Sequence, residues 1–338
     1  MVSGVKIRMT FLRFRLEMAS VAVFLTSLHS YDNLDKFAEI MEMKIGSEAH
    51  KELFCQTFMA SHREYNPEHL PWPTLNDAAL DVLRGIPFWE EALDTERQAG
   101  AKLSAYAATV SEPVLRSAIT LQAMEETRHA RMIETLIKCY GIEISERPAT
   151  KLPGNLEQAF IDFGYEECLD SFFASGLFGL ARQSGFFPEQ LFTLFDPIID
   201  EEVRHIVFFV NWVNYWQISQ GRGAKILRAT QDIWHYGRAL RHLLDTFSSP
   251  NPNNEGFTAI GASVFAEDLT PDKFLSTCLE ENERRMSVFD HRLLRPQFIP
   301  AIAKVALSSL KLLPKRNTKL NSVDHTHAGN SGSSRVRI

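Results

Sequence analysis

Between residues 47 and 312 apolar side chains recur three and four apart, the period of one face of an α-helix, and no stretch alternates as a half-buried strand does. The pattern predicts leading helices at Asn33 to Met43 and Ser47 to His62, closed by a loop running from Asn66-Pro67 to Pro73. Four longer helices are expected at about 86–109, 112–140, 155–183 and 188–217, and three more near 224–248, 271–293 and 298–312. Boundary residues agree with these spans. Ser111-Glu112-Pro113 has a capping side chain before a first-turn proline, Thr270-Pro271 repeats that signal, and Gly141 suits a left-handed C-terminal cap. The chain reads as all-α. A four-helix unit at 86–217 is preceded by helices and a loop at 31–85 and followed by a helical extension at 222–313.

Acids interrupt the apolar stripes of the four central helices at a few places, and two of these share a local sequence. Glu-Glu-Thr-Arg-His ends at His129 and Glu-Glu-Val-Arg-His ends at His205, each containing Glu-x-x-His. Residues three apart share a helix face, so Glu126 with His129, and Glu202 with His205, each present an oxygen and a nitrogen toward one point. With 27 glutamates and 11 histidines in 338 residues, about one such spacing is expected by chance. The setting carries more weight than the count: Phe195, Ile198, Ile199, Ile206 and Phe209 surround Glu202 on its face. A carboxylate aimed into a core needs a partner.

A metal site inside a helix bundle takes further acids from the other two helices. Glu96 sits in an apolar stripe of Trp89, Ala92, Leu93, Ala99, Gly100 and Leu103, 15 residues before Ser111, while Glu126 lies 15 after it. An antiparallel hairpin therefore brings Glu96 level with Glu126. On the third helix Gly185 and Pro188 mark the turn, which puts the level of Glu202 between 167 and 170. Glu167 is the expected ligand there, with Asp170, on the same face, as its alternate.

Glu96, Glu126, His129, Glu167, Glu202 and His205 together resemble the six ligands of ferritin-like di-iron carboxylate proteins. Their dressing is similar to that of soluble acyl-carrier-protein desaturases, whose motifs run Glu-Glu-Asn-Arg-His and Asp-Glu-Lys-Arg-His. The resemblance covers roughly residues 86 to 216. Where desaturases have Asp before the second motif glutamate, this chain has Glu201, with Asp200 one further back, so either acid is open as the partner of His129. The resemblance implies a ferritin-like four-helix bundle with additional N- and C-terminal helices. It also implies a non-haem di-iron oxygenase or oxidase, with O2 as co-substrate. Carboxylate and imidazole ligands without thiolate suit two iron ions, or a manganese/iron pair, rather than structural zinc or copper.

The expected reaction is hydroxylation, desaturation or N-oxygenation of a small, partly apolar or carrier-linked substrate; the alternative is an iron-handling ferroxidase or storage protein. No dinucleotide-binding fingerprint appears, which implies an external electron donor, a ferredoxin or a reductase. A homodimer is compatible with this reading. Eleven phenylalanines between Phe160 and Phe209 crowd the third and fourth helices, as core packing or as the wall of an apolar channel. Arg128 and Arg204 could orient carboxylates around the site, although solvated helix surface is the commoner fate of such residues. His235 and His242 are read as unrelated to metal.

Composition narrows the class further. A net charge of −6 gives no hint of nucleic-acid binding. Cys55, Cys139, Cys168 and Cys278 form no Cys-x-x-Cys pair, which points to a reducing compartment, the cytoplasm. In residues 1–30, Lys6, Arg8, Arg13 and Arg15 precede an uncharged run from Met18 to Leu28 that is too short to span a bilayer. A targeting segment and a misplaced start are the alternatives there. Residues 314–338 are polar, without apolar periodicity, and read as a disordered tail.

Overall fold

A computed structural model describes residues 43–86, 89–145, 147, 151–248 and 270–312. The N-terminal segment 1–30, nearly all of the helix expected at Asn33 to Met43, and the tail 314–338 lie outside these residues. Among the described residues the chain forms nine α-helices and one short 3-10 turn, with no strand. The helices are α1 Glu48–Ala60, α2 Asp77–Gly85, α3 Trp89–Ala107, α4 Pro113–Tyr140, α5 Leu156–Gln183, α6 Glu189–Ser219, α7 Lys225–Ser248, α8 Pro271–Met286 and α9 Phe298–Leu312. The 3-10 turn is Pro67–His69. No helix among them is long and apolar enough to cross a membrane.

Most boundaries follow the expected caps. Glu112 accepts from the backbone N–H of Leu115 at 2.6 Å with Pro113 in the first turn, and Gly141 closes α4 at φ 60°. Helix α2 was not expected. Asn76 caps it by accepting from Ala79 N–H, and Ile86 ends it in extended conformation because the following Pro87 disfavours a helical residue before it. The helix expected over 271–293 stops at Met286. Beyond it Asp290 turns the chain by accepting from Arg292 N–H at 2.9 Å, a local bond that competes with the helix.

Four long helices set the architecture. α3 packs along α4 and α5 along α6, while α3 also faces α5 and α4 faces α6. α1 lies against α4 and α6; α7 and α8 flank α5, and α9 packs on α8. The α5–α6 approach is close enough that a Cβ on Gly164 would stand 2.1 Å from the Phe209 ring. Two apolar clusters fill the interior. One is built around Phe54, Leu103, Ile119, Phe160, Phe208 and Trp212, the other around Leu83, Ile133, Leu136 and Phe192. Glu125, Glu126, His129, Glu201 and His205, each at most 1% exposed, are buried among these apolar residues.

Candidate metal centre

Burying that many ionisable groups costs several kcal/mol for each unpaired ion, so their partners decide whether the arrangement holds. Donor atoms of Glu96, Glu126, His129 and Glu202 lie within 4.8 Å of one another. His129 Nδ1 stands 2.8 Å from Glu202 Oε1, 3.6 Å from Glu126 Oε2 and 3.7 Å from Glu96 Oε2. His205 joins from α6, its Nδ1 3.0 Å from Glu126 Oε1 and 3.5 Å from Glu202 Oε2. Glu167 lines the same cavity wall as Glu96 and Glu202. Asp170 lies one turn on, accessible from the cavity.

Despite these short approaches, His129 Nδ1, His205 Nδ1 and Glu202 Oε1 are buried without an aligned hydrogen bond. The opposite nitrogen of each ring is engaged. His129 Nε2 lies 2.8 Å from Glu201 Oε2, and His205 Nε2 lies 2.8 Å from Glu125 Oε2. Each outer acid has two more hydrogen-bond partners. Glu201 accepts from Arg128 at 2.7 Å and from the Tyr65 hydroxyl at 3.0 Å. Glu125 accepts from Arg204 at 3.0 Å and has His62 Nδ1 at 2.5 Å. With Nε2–H donated outward, the Nδ1 lone pair faces the cluster, the tautomer a metal ligand requires.

The electrostatics divide the acids. Burial pushes Glu126 and Glu202 upward, but the two imidazoles outweigh it and hold both below the usual carboxylate range. Burial raises Glu96 to about 8 in spite of His129, and burial with the charges of Glu202 and Glu126 holds Glu167 well above its ordinary value. Burial opposes charge on the imidazoles, yet the surrounding carboxylates hold His129 and His205 well above the histidine range. A proton and a metal ion compete for the same Nδ1 lone pairs, so this is a cation-seeking cluster. Its donor set of oxygens and imidazole nitrogens fits iron or manganese. Glu201 and Glu125 are themselves held below the usual range: burial opposes this, but hydrogen bonds from His129 and His205 outweigh it.

The sequence reading left Glu201 and Asp200 open as partner of His129. Glu201 takes that role, while Asp200 pairs with Arg285 of α8. Arg128 and Arg204 are the carboxylate-orienting groups rather than solvated surface; Arg204 is 8% exposed and also bonds Ser61 and the Phe58 carbonyl. Glu125, His62 and Tyr65 were not singled out. The doubled Glu-Glu was a visible signal for Glu125, since adjacent helix residues diverge by about 100° and cannot share a target. His235 stacks on Tyr165 at 4.8 Å and approaches Asp162 at 3.2 Å, away from the cluster, and the side chain of His242 lies outside the described ones.

A cavity of about 600 Å³ runs between α3, α4, α5 and α6 and reaches Glu96, His129, Glu167 and Glu202. Phe163, Phe178, Phe187, Phe192 and Phe195 line it, whereas Phe160, Phe172, Phe208 and Phe209 are buried in the core and Phe186 is 44% exposed. Both readings of the phenylalanine cluster therefore apply, and Phe163, Phe187 and Phe192 belong to the core and to the cavity wall at once. Compared with known proteins, the chain matches no family model, no curated protein and no solved structure.

Proposed function

We propose that this protein is an O2-dependent di-iron oxidoreductase built on a ferritin-like bundle, acting in the cytoplasm on a small, partly apolar substrate with electrons from an external donor. The observation that carries the reading is the convergence of His129 Nδ1, His205 Nδ1 and Glu202 Oε1, buried without hydrogen bonds, beside Glu126 and Glu96. Glu96, Glu126, His129, Glu167, Glu202 and His205 would hold two metal ions, iron or a manganese/iron pair. When bound, such a pair supplies O2 activation and oxidation of a substrate C–H or N–H bond.

The chain's own residues supply placement. Glu201 and Glu125 fix the tautomer and ring orientation of the two histidines. Hydrogen bonds from His129 and His205, with the charges of Arg128 and Arg204 beside them, hold those acids ionised, and Tyr65 and His62 complete their hydrogen bonds. The phenylalanines make one wall of the cavity beside the cluster apolar, and an apolar substrate would lie there against Glu96 and Glu202. That cavity favours substrate oxidation over iron storage.

Anaerobic reconstitution with Fe(II) followed by metal analysis is the direct test. Two iron ions per chain, oxidised on admission of O2, are expected. One tightly held zinc would overturn the di-iron reading, and a very large assembly on size-exclusion chromatography would move the assignment to iron storage.

A further inference from the structure

The cavity beside the cluster is long, and its two ends differ. On α3 its lining runs from Trp89 to Lys102, 13 positions (102 − 89) or about 20 Å of helix. Tyr106 near the end of α3 stacks on Phe160 near the start of α5 at 4.7 Å, whereas Leu83 and Ile86 ahead of α3 cluster with Ala181 at the end of α5, so the two helices run antiparallel along the cavity. At the Leu83 end Ile86, Leu136, Ala181 and Phe187 make the lining apolar. At the Tyr106 end stand Lys102 and Phe163, and Glu96, Glu167 and Glu202 lie between.

Lys102 is the one lysine or arginine of this lining among the described residues. It is half-buried, with no hydrogen bond or ion pair to another described residue. The acids of the lining do not serve it. Glu91 is occupied by Arg147 at 2.5 Å, Glu166 has a partner of its own, and Glu96, Glu167 and Glu202 are ligand candidates whose charge bound metal ions neutralise. Asp170 is displaced along the helix: it lies ten positions past Phe160, as Glu96 lies ten before Tyr106, which sets it level with Glu96 and about 9 Å of helix from Lys102.

We infer that Lys102 anchors the carboxylate of a free apolar acid, and that the substrate is such an acid rather than a carrier thioester. The ammonium donates to the carboxylate in a charge-assisted hydrogen bond, while the body of the molecule runs past Glu96 and Glu202 toward the apolar end. A thioester presents no charge to this anchor. A dianion such as a phosphate monoester brings a second negative charge that one ammonium does not balance, on a wall that also carries Glu166 and Asp170. The role of this acid as substrate rests on the oxidoreductase reading; the anchor itself does not.

The test is calorimetric titration with octanoate, octanamide, octylamine and S-octanoyl-pantetheine at pH 7, on full chain of measured metal content and on metal-free chain. Octanoate is expected to bind about tenfold tighter than each of the other three, the worth of one charge-assisted hydrogen bond. Lys102→Gln should weaken octanoate by that factor, with octanamide binding, metal content and thermal midpoint unchanged, and Lys102→Arg should keep the preference. Octanamide or the thioester binding as tightly as octanoate would overturn the inference; so would octanoate binding that Lys102→Gln leaves unaltered, or no binding of octanoate. Carboxylate preference failing while two metals load removes this inference alone, whereas failure to load metal removes the oxidoreductase reading and leaves the preference measurable in the metal-free chain.

Discussion

Glu201 of α6 accepts from His129 of α4 at 2.8 Å, and the mirror contact exists, with Glu125 of α4 taking His205 of α6 at the same distance. The arginines follow suit: Arg128 reaches Glu201 and Arg204 reaches Glu125. In each Glu-Glu-x-Arg-His motif the second Glu faces the cluster, while the first serves the Arg and His of the other motif. Neither half is complete alone.

Removing one of these outer acids should therefore be felt at the metal. Glu201→Ala is expected to lower metal affinity about 10- to 100-fold, the usual effect of losing a histidine-orienting partner. Competition with a chromogenic chelator measures it; unchanged affinity would mean that packing alone orients His129. Glu125→Ala also strands Arg204 and His62, and breaking such a buried pair costs roughly 3–5 kcal/mol. Its thermal midpoint should fall further than that of Glu125→Gln.

The third-helix ligand is decided by comparing two variants under identical metal loading. After burial, the charges of Glu202 and Glu126 both raise Glu167, whereas of the cluster's acids Glu202 is the one that raises Asp170. Glu167→Ala should lose metal and O2 reactivity, and Asp170→Ala should keep both ions. The reverse pattern would show that the shorter acid is the ligand.

Two glycines should respond to alanine with opposite sign. A Cβ on Gly176 would stand 2.2 Å from Cys278 Sγ and 2.9 Å from its Cα, so Gly176→Ala forces α8 away from α5. Overpacking of this kind costs about 1–3 kcal/mol. Gly237 on α7 has nothing within 4 Å, and its replacement should stabilise by about 0.5–1 kcal/mol through helix propensity. Denaturant midpoints of the two variants check this.

Lys51 gives an alkaline limb to stability. It is 5% exposed, its ammonium 2.5 Å from Glu48 and 2.9 Å from Glu112, and these hydrogen bonds, led by Glu48 and opposed by burial, hold it above the ordinary lysine value. A raised folded value means the contribution is fully present below the unfolded lysine value of about 10.4 and is lost as pH rises through the folded one. Between pH 8 and pH 12 the wild-type thermal midpoint should fall more steeply than that of Lys51→Met. Parallel curves would remove Lys51 as the cause.

The sequence by itself determined what is local. Periodicity and caps located the long helices, because amphipathic spacing and first-turn hydrogen bonds are settled within a few residues. The three-residue step of each Glu-x-x-His aligned two donors on one face for the same reason. Short α2 escaped although Asn76 caps it and Ala79 and Leu83 recur four apart on its buried face, because it is only nine residues long and ends against Pro87. What crosses between helices was decided only by the tertiary structure: the choice of Glu201 over Asp200 for His129, the burial of Arg204, and the capture of Tyr65 and His62 from the chain after α1. Those depend on the rotation and register of one helix against another, and a shift of a single residue turns a side chain by about 100°. The cavity belongs to the same class, because it is the space that α3, α4, α5 and α6 leave between them.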